Sequence, residues 1–430
     1  MKRPFGPRLP GRHACRAGAF RYTLLALLAA GRVAASVDGD GDGMLDDWEV
    51  AYFGSTNAPK GAATADFDGD GMSNLAEYRA GTNPTNALSH LALTSIARLP
   101  NSRYTLTWPG ATGCVYNLEA KFSPAASFTN ILATNVPAAF PQTVCTVSVQ
   151  NASQAFFRVR WRPMFVGAAN TPTTGMTYQQ SWADLDAALG PLGIRRSYSS
   201  GLVTNFPTTV AAIDVGKRVS VFSFKTSWSE MAAGQHDADV RNLVNSIPAN
   251  HLTYLCWFHE PENDGAATNF IPAFRKFATA AKAVARPNVK VTLILMTWTW
   301  NTASGRNPSD WWPGAEYVDA VGLDGYNSFN GTNKTTWTVP ADIFQAPTDW
   351  LQAHGVREIG IAECGCRERI GDANAKATWL RDAVKWADAQ RFSFFCYFDS
   401  DVGSSGEPPW WLRTSAQATQ AYRDLAAAHQ

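Results

Sequence analysis

The chain has 430 residues, 45% of them apolar and 17% charged, with a formal net charge of +1. That length exceeds one average domain, so two or three units are expected. The near-neutral charge hides an asymmetry: residues 1–35 hold seven of the Lys/Arg and none of the Asp/Glu, so the remainder carries −6, a balance that argues against nucleic acid or an anionic membrane as partner.

Residues 1–35 read as an export signal. A basic stretch from Lys2 to Arg21 precedes an apolar core, Tyr22 to Ala30, and small residues end in Val33-Ala34-Ala35, which places cleavage before Ser36. The apolar core is too short to span a bilayer of about 30 Å. The expectation is a secreted or cell-surface protein with no membrane span after cleavage. Six cysteines lie beyond residue 35, an even number compatible with an oxidising compartment. Cys114 and Cys145 share one β-rich stretch and are candidates for a bridge. Cys256, Cys364, Cys366 and Cys396 lack paired CxxC spacing, which argues against zinc.

Residues 36–86 contain two copies of one pattern, DGDGDGMLDDWE (38–49) and DFDGDGMSNLAE (66–77). Each matches a twelve-residue calcium loop, with oxygen ligands at positions 1, 3 and 5, a glycine at 6 and a glutamate at 12. The candidate ligands are Asp38, Asp40, Asp42, Asp46 and Glu49, then Asp66, Asp68, Asp70, Asn74 and Glu77; Met44 and Met72 would give backbone carbonyls. Clustered carboxylates repel one another, so compact folding here calls for Ca²⁺. With the closing GTNPT (81–85), the segment resembles dockerin or thrombospondin type 3 calcium repeats. That resemblance implies a calcium-stiffened spacer, or a module for attachment to a cell surface or scaffold.

Residues 88–161 alternate apolar and polar residues in short runs such as RYTLTW and AFFRVRW, the pattern of a small all-β sandwich. Tyr104, Trp108 and Tyr116 are expected in its core, with stacking on sugar rings as the alternative.

Residues 163–430 alternate strands with amphipathic segments. Eight strands are predicted, at 164–169, 193–198, 218–225, 252–260, 289–298, 317–326, 357–363 and 392–399. The span and count predict an α/β fold, a (β/α)8 TIM barrel, in which side chains at the C-terminal strand ends share one open face. Two of these strands stop at a glutamate: LTYLCWFHE at Glu260, the fourth, and REIGIAE at Glu363, the seventh. Two carboxyl groups facing one another are the minimum apparatus for cleaving a glycosidic bond.

The stretch WFHEPEND resembles the acid/base segment of glycoside hydrolase family 26, the mannanase family; YVDAVGLDGYN (317–327) and IGIAECG (359–365) resemble its sixth-strand and nucleophile segments. The resemblance implies a retaining glycosidase with Glu260 as acid/base and Glu363 as nucleophile, and no catalytic cofactor. Pro261-Glu262 stands where the mannanases usually have Met-Asn. From the residues alone, strand parity puts Glu260 and Glu262 on one side; Glu260 is preferred as the strand end beside His259. Phe258 and Trp257 would desolvate the acid, and His259 would orient it. Tyr326, Lys225 and Arg196 are expected to support the charge of Glu363. Trp298 and Trp300, with Trp311, Trp312, Trp410 and Trp411 in following loops, suit a cleft for polysaccharide; Asp324, Asp399 and Glu262 are further substrate-binding candidates. Two alternatives remain: a glycan-binding protein on an inactive barrel, and a hydrolase of bacterial exopolysaccharide.

Overall fold

The computed structural model describes residues 38–110, 114–128, 130–139, 142–149, 153–172, 175–356, 358–400 and 410–429; the proposed export signal, 1–35, lies outside them. Among the described residues no helix is long and apolar enough to cross a membrane.

Eight parallel strands close into a barrel with helices around it, as the strand pattern predicts. Numbered after six strands that precede them, they are β7 (Phe165–Asn170), β8 (Ile194–Ser199), β9 (Val219–Phe224), β10 (Thr253–Trp257), β11 (Val289–Met296), β12 (Ala320–Asn327), β13 (Ile359–Cys366) and β14 (Phe394–Asp399), with β14 pairing back onto β7. Every residue of β9 is buried, because each strand has the barrel interior on one face and helices on the other. Phe165, Ile194, Val221, Tyr254, Ile294, Ala362 and Phe394 fill the interior. The opposite faces pack under the helices. Helix Ala267–Lys282, for instance, buries Phe270, Phe274 and Phe277 at helical spacing, and Trp257 stacks on Phe270 with centroids 5.6 Å apart. At Gly167 a β-carbon would lie 1.8 Å from the carbonyl oxygen of Ile194, so only glycine lets β7 and β8 approach this closely.

The fourth barrel strand is shorter than the sequence pattern suggests. It ends at Trp257, because Phe258 and Glu260 adopt left-handed conformations, φ 59° and 48°. Strand parity therefore does not govern the relation of Glu260 to Glu262. Trp257 points toward the helices, where its Nε1 donates to Thr226 Oγ1 at 2.9 Å, so it is not the residue that desolvates Glu260.

Ahead of the barrel stand two three-stranded antiparallel sheets, β1 (Ser95–Leu99), β2 (Arg103–Pro109) and β5 (Gln142–Ser148) in one, β4 (Asn130–Pro137), β3 (Val115–Lys121) and β6 (Phe156–Arg162) in the other. Trp108, Tyr116, Leu106 and Leu118 form their shared core, and half-buried Tyr104 packs on Phe157. Trp108 and Tyr116 are thereby unavailable to sugars. All six described cysteines are free thiols; Cys114 donates to the carbonyl of Arg79 instead of bridging to Cys145.

The acidic segment folds back onto the barrel. Its second helix, Asn74–Ala80, presents Tyr78, whose hydroxyl donates to the carbonyl of Ala389, and Arg79, which pairs with Asp388 at 2.6 Å. Lys385 on the same barrel helix, Ala375–Ala389, donates to the carbonyl of Gly41.

Candidate active site

Glu363 lies at the mouth of the barrel because β13 breaks its own alternation. Ala362 packs in the barrel interior and Ile361 under the helices, so strict period two would turn Glu363 toward the helices with Ile361. The register against β12 shifts between Leu323 and Asp324, and the irregularity leaves Asp324 opposite Glu363. Such a bulge re-aims a side chain. Glu363 Oε1 accepts from Tyr198 Oη at 2.6 Å and Oε2 from Tyr326 Oη at 2.8 Å. The guanidinium of Arg196, fully buried, stands 3.5 Å from Oε1. Three donors on an acceptor-only group satisfy an ionised carboxylate.

Glu260 meets a different environment. Its carboxyl has no hydrogen-bond partner among the described residues. Burial, then the charges of Glu363 and Glu262, push its pKa up to about 7. Left-handed backbone at two non-glycine residues, Phe258 and Glu260, costs of order 1–3 kcal/mol each and is held only where the surroundings impose it. His259 Nδ1 lies 3.1 Å from Ser223 Oγ, and burial beside Arg196 and Lys225 drives its pKa well below the usual value, so the ring is neutral. Ser223 also accepts from Arg196 Nη1 at 3.0 Å and so links the surroundings of the two glutamates.

The remaining candidates divide. Asp324 sits beside Glu363 with neither oxygen partnered, and burial, then the charges of Glu363 and Glu260, raise its pKa well above the usual range. Lys225 does not reach Glu363; it pairs with Asp264 at 3.1 Å and lies over the ring of Phe258. Asp399 is 1% exposed and spent on Asn170 Nδ2 and the Leu412 N–H, which removes it from the substrate candidates. Glu262 is likewise withdrawn, 6% exposed and bonded to the end of β11. Trp298 is 49% exposed, whereas Trp311 and Trp410 are buried and Trp300 and Trp312 pack on Trp350. An open cleft of about 610 Å³ runs from Glu260 past Trp298, Trp300, Asp324 and Tyr326 to Asp342.

Sequence reasoning missed Tyr198 and Ser223. Tyr198 was within reach: it stands two residues after Arg196 on β8, so it shares the inward face.

Two further clusters lie in the acidic loops. Carboxylate oxygens of Asp38, Asp40 and Asp42 lie within 4.8 Å of one another, as do those of Asp66, Asp68 and Asp70. Both oxygens of Glu49 and one of Glu77 are buried without a partner. Their neighbours in each loop are further carboxylates, an arrangement that fits a hard cation. Met44 and Met72 each donate a backbone N–H to the aspartate two residues before, Asp42 and Asp70. Asp46 and Asn74 differ from the expected ligand set. Asp46 Oδ1 accepts from Gly39 N and Asn74 Oδ1 from Phe67 N, and the amide of Asn74 donates to Lys60 and Ala62.

Comparison with known proteins places these features. The profile of glycosyl hydrolase family 26 matches residues 286–358. The barrel is similar to family 26. The match spans β11, β12 and the following helix, and includes neither Glu260 nor Glu363. The bacterial TSP3 repeat profile matches 38–55 and 66–87, the two acidic loops. No curated protein matches the chain. Among solved structures, an exo-β-1,4-mannosidase from Opitutaceae bacterium strain TAV5 is 13% identical, with a TM-score of 0.47 over 62% of this chain and 60% of that one. A family 26 β-mannanase from Bacteroides ovatus is 10% identical, with a TM-score of 0.42 over 62% of this chain and 88% of its own. A glucosidase from Croceicoccus marinus is 13% identical, with a TM-score of 0.44 over 62% and 67%.

Proposed function

We propose that this chain is a secreted glycoside hydrolase that cleaves β-linked polysaccharide, mannan-type as the first substrate to test, with retention of configuration. One observation carries the reading: two carboxyl groups at the mouth of one barrel have opposite surroundings, Glu363 ringed by donors and Glu260 unpartnered and raised to about 7. A pair whose environments diverge in this way divides into nucleophile and acid. Glu363 attacks the anomeric carbon while Glu260 passes its proton to the departing oxygen. A glycosyl ester forms on Glu363 as the glycosidic bond breaks. Glu260, now ionised, takes a proton from water, whose oxygen attacks the same carbon and releases Glu363. Tyr198, Tyr326 and Arg196 hold the nucleophile. Asp324, kept neutral, can donate to a sugar hydroxyl, and the exposed indole of Trp298 offers a face to a pyranose ring.

In the same reading, residues 36–86 form a calcium module, 88–161 a sandwich and 163–430 the catalytic barrel, behind an export signal at 1–35. Asp38, Asp40, Asp42, the Met44 carbonyl and Glu49 would hold one Ca²⁺; Asp66, Asp68, Asp70, the Met72 carbonyl and Glu77 the other. The ion neutralises the clustered carboxylates and takes no part in the chemistry.

Glu363→Ala is expected to lower kcat about 10⁴-fold or more on every substrate. Glu260→Ala should lower kcat/KM about 10²–10⁴-fold on unactivated oligosaccharide and far less on a dinitrophenyl glycoside, whose leaving group needs no proton. Full activity of either variant on oligosaccharide contradicts the assignment.

Glu260 must be protonated to act, and its pKa is raised by burial and by its carboxylate neighbours. Activity is therefore present below pH about 7 and lost as pH rises through it. A kcat/KM profile flat from pH 6 to about 9 contradicts this.

Chelation by EDTA should expose 36–86 to protease and lower the melting temperature while hydrolysis continues at a temperature where the barrel stays folded. Saturation at about 100 times Kd corresponds to roughly 2.7 kcal/mol of stabilisation. Immediate loss of activity in the still-folded protein would place a metal in the barrel.

A further inference from the structure

The turn that carries Glu260 is held by a carboxylate outside the cleft. Phe258 and Glu260 both have left-handed backbone, and β10 has already ended at Trp257; the Phe258 N–H still donates to the Phe224 carbonyl of β9 at 2.9 Å, and beyond it ladder pairing no longer fixes the turn. One backbone bond, Glu260 N–H to the Ile294 carbonyl at 3.1 Å, ties the residue to β11. Pro261 then opens a single turn, Pro261–Asn263. Within it Glu262 Oε1 accepts from the N–H of Met296, the last residue of β11, at 2.9 Å and from Thr299 Oγ1, in the turn that follows, at 2.8 Å. Arg306 Nη2 donates to the Glu262 carbonyl at 3.1 Å and to Asn263 Oδ1. Glu262 is 6% exposed and does not line the cleft, while Glu260 and Met296 both do.

We propose that Glu262 is a positioning residue for the acid/base, pinning the strained turn of Glu260 to the end of the fifth barrel strand. The inference rests on the role argued above for Glu260. A left-handed residue relaxes unless its neighbours over-determine it. Two residues after Glu260, one carboxyl oxygen collects two donors from the end of β11 and the turn after it, and these bonds hold the backbone beside Glu260. The second oxygen, Oε2, is buried and unpartnered, which makes this an expensive group to place here for packing alone. The proton carried by Glu260 must arrive at the departing oxygen within hydrogen-bond reach, and a small displacement of the carboxyl falls on that transfer and on the proton it later takes from water.

The test compares kcat/KM on an unactivated oligosaccharide and on a dinitrophenyl glycoside of the same sugar. Glu262→Ala should lower kcat/KM, which reads the departure of the leaving group and not the later hydrolysis of the ester, about 10–100-fold on the oligosaccharide and leave it within about threefold on the activated glycoside. Glu262→Gln keeps an oxygen for both donors and should recover most of the loss. Thr299→Val removes one donor and should give a smaller loss with the same dependence on leaving group; it decides the matter if Glu262→Ala does not fold. Equal losses on both substrates, no loss, or failure of the glutamine variant to rescue despite an unchanged melting temperature would overturn the proposal. Glu260→Ala is measured alongside. If it affects both substrates equally, the acid/base reading itself fails and this inference falls with it; if it discriminates and the Glu262 variants do not, only the inference fails.

Discussion

The site depends on a carboxylate surrounded by donors at the mouth of a closed barrel. Glu363 draws Tyr198 from β8, Tyr326 from β12 and the buried guanidinium of Arg196 into one cluster. An ion of this kind withdrawn from water is tolerable only with such partners. Its charge then acts on its neighbours, as one of the contributions that push the protons of Glu260 and Asp324 into place. Remove the donors around Glu363, and one side of the contrast between the two glutamates is lost; burial of Glu260 supplies the other.

Much of the fold was legible because the barrel obeys simple periodicities. Strands buried on both faces give runs rich in apolar residues such as VSVFSF, and phenylalanines four and three residues apart mark the helix that covers them. The two glutamates were legible as abrupt polar ends to those runs. What periodicity could not give are the places where the backbone departs from it. The irregularity at Ala362–Glu363 turns the glutamate inward, and left-handed Phe258 and Glu260 end the fourth strand early. Parity across that turn misplaced Glu262, and nearness in sequence misplaced Trp257. Lys225 and Asp399 were misjudged for another reason: their partners, Asp264 and Asn170, come from other segments, and sequence position does not reveal which charge a side chain meets. Tyr198, by contrast, lay in plain alternation with Arg196.

The calcium-loop pattern was equally plain, but its placement was not. A spacer would stand apart from the barrel. Here the residues just after Glu77, Tyr78 and Arg79, bond to the end of the barrel helix Ala375–Ala389, and Arg391 lies over the Tyr78 ring at 4.2 Å. The helix that ends the second loop is thus also the one that docks, so order in the loop and contact with the barrel are parts of a single arrangement.

The central claim is that Glu363 becomes covalently bonded to sugar. A 2-deoxy-2-fluoro β-glycoside with a dinitrophenyl leaving group slows breakdown of that ester more than its formation, so the adduct accumulates. Peptide mass mapping of the inactivated protein should find one added sugar, on the peptide that contains Glu363, and none in Glu363→Ala. A label on another residue, or turnover with release of the inverted sugar and no adduct, would contradict the account.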